Sequence, residues 1–206
     1  MLVSPGKNES GNDRVLEYDS GAFVNSNRKI RKSVATFLLA GLMLVGLMCD
    51  VTLAGVKSFD FDVQGFMSYY NAASQQLGTS FKGYVKSSRG TGNNNEMIYT
   101  LGFTGTENLA ASVWADIDTR AVKQIIMISM KDATSIIHGS YGAVMAVENN
   151  IFIEEDRNKI LNFMGLRGDN MKRLENGETL NFSIEKANYT VQFSDTVGYW
   201  LTIEPK

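Results

Sequence analysis

Leu109-Ala110-Ala111-Ser112-Val113-Trp114-Ala115-Asp116-Ile117 is followed by Asp118-Thr119-Arg120-Ala121 and then by Val122-Lys123-Gln124-Ile125-Ile126-Met127-Ile128-Ser129-Met130. In the first stretch Leu109, Ala111, Val113, Ala115 and Ile117 alternate with their neighbours, the period-2 pattern of a strand with one buried face. The polar connection is too short for a crossover, so Leu109–Ile117 and Val122–Met130 are expected to form an antiparallel hairpin. Upstream, two further strands are expected, Phe81–Lys86 and Glu96–Phe103. The polar loop Ser87–Asn95, with Gly90 and Gly92, joins them. Four strands in a row with short joins make a meander.

Before the meander, Val63, Phe66, Tyr70, Ala73 and Leu77 recur at three- and four-residue spacing. This stripe predicts a helix over Asp62–Leu77, capped by Asp60 or Asp62 and stopped by Gly78. After the meander, helices are expected over Ala133–Val147, with Thr134 or Ser135 as cap, and over Glu154–Met164, ended by Gly165. Gly139, Gly142, Ala143 and Ala146 give the former a small-residue face for close packing. Strands return at Thr179–Glu185, Tyr189–Ser194 and Tyr199–Glu204, with Trp200 on the face opposite Tyr199, Leu201 and Ile203. Runs of strands separated by helices, without strict alternation, predict an α+β fold. Its antiparallel sheet has six or seven strands and its helices pack on one face. Tyr99–Thr104 resembles Tyr189–Ser194, which fits either two related units or two strands of similar composition.

The chain divides into residues 1–32, a basic-ended leader; 33–54, an export segment; and 55–206, one globular domain. Residues 1–27 carry too little apolar surface to offset chain entropy and are expected to be disordered. Arg28, Lys29, Arg31 and Lys32 precede the uncharged run Val34–Cys49, the order that export machinery reads. Thr52-Leu53-Ala54 makes a cleaved signal peptide, cut after Ala54, the first reading. An uncleaved anchor with the domain outside is the second. A lipoprotein acylated on Cys49 is the third, although Gly46 and Met48 depart from that motif. Each places the domain outside the cytoplasm: secreted, periplasmic or on the cell surface.

The chain has 206 residues and a formal net charge of −2. About 150 residues remain after the leader, enough for a real core. Its charges are mixed, so no nucleic-acid footprint is visible and no nucleic-acid partner is expected; a membrane enters only through residues 33–54 if they stay attached. Cys49 is the one cysteine, so the domain has no disulfide. His138 is the one histidine, without a His or Cys partner for a zinc site and without a G-x-S-x-G elbow for a triad. Asp60 with Asp62, and Asp116 with Asp118, are paired carboxylates, but helix-cap and turn roles already account for them. Ser88-Arg89-Gly90-Thr91-Gly92 lacks the lysine and following helix of a phosphate loop.

No catalytic residue, cofactor or metal is therefore expected. The first functional reading is a non-catalytic exported binding domain for an unknown protein, using Arg89, Asn93 and Asn94 in the polar loop. The alternative is a carrier for a small apolar ligand between helix and sheet, lined by Phe66, Tyr69 and Tyr70.

Overall fold

The computed structural model describes residues 57–79, 81–92, 95–130, 135–150 and 152–206. The export segment, Cys49 and its flanks lie outside the described residues, as do Asn93, Asn94 and Thr134. Among the described residues the order is α1 (Val63–Gln76), β1 (Lys82–Gly90), β2 (Glu96–Thr104), β3 (Leu109–Asp116), β4 (Val122–Ser129), a π-helical turn (Ile136–Tyr141), α2 (Gly142–Glu148), α3 (Glu154–Phe163), α4 (Asp169–Glu175), β5 (Leu180–Ser183), β6 (Ala187–Ser194) and β7 (Gly198–Pro205). The strands form one seven-stranded antiparallel sheet in the order β1-β2-β3-β4-β7-β6-β5. The fold is α+β, as the pattern of elements requires.

α1 starts where Asp62 Oδ1 accepts the Gly65 N–H at 2.8 Å and stops at Gly78. Its stripe of Val63, Phe66, Met67, Tyr70 and Ala73 is buried with Leu101, Phe103, Val113, Ile125, Met127, Tyr189, Tyr199 and Leu201 of the sheet. α2, α3 and α4 add Val144, Leu161 and Leu174 to that same cluster, so among the described residues the helices share one core with one sheet face. Phe59 and Phe61 stack at 4.9 Å and enter this core beside Val122, whose backbone bonds both. Transfer of so many apolar side chains from water, at about 25 cal/mol per Å², is the main stabilising term.

Three expectations are corrected. Ser87–Gly90 is strand and not loop: β1 continues to Gly90, pairing Arg89 with Ile98, after a bulge at Lys86. β3 ends at Asp116, and Ile117 is 43% exposed, because the register slips between Trp114 and Ala115. The region after the meander is not a continuous α-helix: a π-helical turn precedes α2, and Ser135 makes no cap. Instead the Ser135 carbonyl accepts from Ser129 Oγ at 3.3 Å. α4 is an element without a counterpart in the sequence reading. The similar stretches Tyr99–Thr104 and Tyr189–Ser194 lie on β2 and β6, which run in the same direction, each two strands from the central β4. A two-fold relation across the β4–β7 seam would pair β2 with β5 instead, so shared strand composition explains the likeness.

Burial sets the response to alkali. Tyr70, Tyr189 and Tyr199 have their phenols pushed far above the usual range by burial, and Tyr141 is raised to about 12 for the same reason. The folded state thus favours the neutral phenol. That stability is complete below the free phenol value of about 10 and is lost as pH rises through the folded values. We expect circular dichroism to be constant up to about pH 10 and then to fall cooperatively, together with the appearance of phenolate absorbance. Full phenolate absorbance with the dichroism intact would refute it.

Candidate functional site

The structure separates the residues expected to bind a small ligand. Phe66 is fully buried and Tyr70 is 1% exposed, both inside the core, whereas Tyr69 is 40% exposed and meets Phe61 edge-on at 6.0 Å. Tyr70 packs its ring on Phe103 at 5.0 Å, and its hydroxyl is buried without a hydrogen-bond partner. Arg89, expected in a loop, instead stands exposed near the end of β1.

The carboxylate pairs are occupied by structure. Asp116 Oδ1 accepts the N–H groups of Asp118 and Thr119 at 3.0 and 2.9 Å, closing the β3–β4 turn. Its Oδ2 lies 3.2 Å from Lys123 Nζ, which also reaches Glu96 at 3.3 Å. The Thr119 N–H, with Lys123 beside it, holds the Asp116 carboxyl down at about 2. Asp118 accepts from Asn95 at 2.7 Å, and Asp62 caps α1. Among the described residues no group of three or more His, Cys, Asp or Glu is placed to hold a metal ion. His138 is half-buried in the π-helical turn.

The second face of the sheet carries a different set of side chains. Backbone register fixes its rows. One row runs Tyr84, Gly102, Ala110, Ile128, Trp200, Gln192 across β1, β2, β3, β4, β7 and β6. The next runs Ser87, Thr100, Ser112, Ile126, Thr202, Thr190. The third runs Arg89, Ile98, Trp114, Gln124, and continues to Glu204 through the Gln124–Glu204 hydrogen bond of 2.7 Å. None of these residues belongs to the core cluster, to which the helices contribute.

The centre of this outer face is apolar and shielded. Ile126 and Ile128 are each 2% exposed, and Ser112 is fully buried. Register puts Trp200 opposite Ile128 and diagonal to Ile126, and puts Trp114 diagonal to Ile126 from the other side. Diagonal partners at about 7–8 Å are within reach of an indole. Ser112 Oγ and Trp200 Nε1 are both hidden from solvent without a hydrogen-bond partner. Tyr84 lies across Gly102: a Cβ there would stand 2.7 Å from its ring, so the glycine makes room for the aromatic. Charges are confined to the margins, with Arg89 and Glu204 at the flanks and Glu96, Asp116 and Lys123 along one end.

Half-buried Trp114 and Trp200 and exposed Tyr84, with charges at the margins, give this face an aromatic centre and a polar rim. The sequence held a signal for it. Ile125-Ile126-Met127-Ile128 is apolar without alternation, which means a strand covered on both faces. Compared with known protein families, curated proteins and solved structures, the chain gives no match.

Proposed function

We propose that this chain is an exported, non-catalytic interaction domain that binds protein through the outer face of its sheet. The observation that carries the reading is the aromatic, charge-rimmed outer face, opposite the face that holds the core. Half-buried Ile98, Trp114 and Trp200 and exposed Tyr84, ringed by charge, have the composition found at partner sites. Arg89, at its flank, ties the earlier loop reading to this surface. Export rests on the basic cluster and apolar run of residues 28–49, as a signal peptide or an anchor.

The test places a photo-crosslinking amino acid at Trp200 and, separately, at Ile153, which is 66% exposed at the start of α3. Crosslinking is done in intact source cells that are then fractionated. We expect protein adducts from position 200, in the envelope or secreted fraction, and none from position 153. Equal adducts at both positions, or adducts confined to the cytoplasm, would overturn the proposal.

One observation favours the carrier reading: the buried Tyr70 hydroxyl lacks a partner, and such groups mark places where water or ligand completes the bonding. Close packing of Phe66, Tyr70 and Phe103 weighs against it.

A further inference from the structure

We infer that the outer sheet face takes a second copy of this chain, as an aligned sheet-on-sheet homodimer with its two-fold axis along β3. The inference rests on the outer face being the binding surface and names its partner. A two-fold interface must be self-complementary: each patch has to suit the patch that symmetry lays over it. An axis lying in the interface along β3 exchanges β2 with β4 and β1 with β7, while leaving each row in place.

Applied to the three rows, that exchange brings unlike charges and apolar groups together. Arg89 on β1 falls over Glu204 of the other copy on β7, twice by symmetry. Trp200 falls over Tyr84 in the first row. Trp114 lies on the axis and meets itself. At the charged end Lys123 on β4 falls over Glu96 on β2, the same two groups that pair at 3.3 Å within one copy. No row sets a lysine or arginine over another; Asp116, on the axis, meets its own copy with Lys123 at 3.2 Å to neutralise it. An axis along β4 does not do this: it places Arg89 over Ser183, and Trp200 over Ala110.

Size and spacing agree. The rotation overlays five strands, β1 to β4 and β7, of about eight residues each, roughly 600 Å², the smaller end of what a specific complex buries on each partner. Aligned sheets stack about 10 Å apart with their strands within about 30° of each other. Indole and phenol rings fill such a gap. The rotation moves the corners by several ångströms, a distance that flexible Arg89 and Glu204 side chains absorb.

The two tryptophans of the chain are both on this face, so they report on it directly. The experiment uses the full chain, carrying 5-fluorotryptophan, in mild detergent. Fluorine NMR is recorded across a dilution series beside sedimentation equilibrium. We expect a monomer–dimer equilibrium in which both fluorine signals move with concentration. Arg89→Glu or Glu204→Arg alone is expected to weaken the dimer about tenfold, and the double reversal to restore it to within about threefold. Both positions are exposed, so circular dichroism of the variants should match the parent. A chain that stays monomeric with fixed fluorine signals would overturn the inference. So would a dimer whose fluorine signals do not move, which would mean association through the leader or another face. Signals that shift only on adding vesicles or a different protein would also overturn it, while leaving the outer face as a binding surface.

Discussion

Glu148→Ala is expected to cost the domain about 4 kcal/mol, read as a fall of about 2 M in the urea midpoint. Glu148 is 4% exposed at the end of α2, where the helix dipole disfavours a negative charge. It is held by two donors: Tyr189 Oη at 2.6 Å and the Lys186 N–H at 2.9 Å. Hydrogen bonds to a charged group contribute about 1.5–3 kcal/mol each. Alanine removes both acceptors, leaves the buried Tyr189 hydroxyl unpaired and opens a cavity. It also unties α2 from the β5–β6 turn, which the carboxylate joins. Glu148→Gln keeps the shape and one acceptor, so its cost should be roughly half. A midpoint change under about 0.5 M for the alanine variant would show that the carboxylate is not holding this junction.

Gly198→Ala is expected to be at least as damaging, lowering Tm by about 10 °C or more. Gly198 opens β7 at φ +94, where an L side chain is strained. An added Cβ would also lie 2.5 Å from the Ser129 carbonyl oxygen and 3.2 Å from the Met130 Cα. Those are backbone atoms, so no side chain can swing aside; either the β6–β7 turn or the β4–β7 pairing must shift. Gly177 supplies the control. It has φ +81 but open space around it, so Gly177→Ala should cost only the left-handed strain of about 1–2 kcal/mol. Equal losses at the two sites would refute the clash.

Much of the inner face was legible because it obeys one rule at a time. Val63 to Leu77 shows helical spacing, Leu109 to Ala115 shows strand alternation, and Trp200 was already set apart from Tyr199 and Leu201. The failures have physical causes. Ser87 to Gly90 reads as loop because an exposed edge strand gains nothing from apolar side chains; its pairing with Met97 to Thr100 is made by backbone alone. Asp169–Glu175 went unnoticed because a seven-residue helix buries only Leu174. The π-helical turn depends on a close approach: a Cβ on Gly139 would stand 2.5 Å from Leu109 Cδ1, a tertiary fact. The outer face was the largest omission. Trp114, Ile126 and Ile128 belong to strands separated by a turn, and only the register shows that they form one patch.

The β4–β7 seam sets a schedule for folding. Every other strand pairing joins neighbours in sequence, so β1 to β4 can zip as they emerge, and β5 to β7 can do the same. Ile125, however, finds its partner only at Ile203. During synthesis at about 5–20 residues per second, the β4 edge therefore waits several seconds for β7. In that interval its apolar run is an open template for another nascent chain. The finished sheet has no such liability, since its outermost strands are the bulged, Lys- and Arg-bearing β1 and the four-residue β5. The hazard is kinetic and transient, and it is removed when β7 pairs with β4.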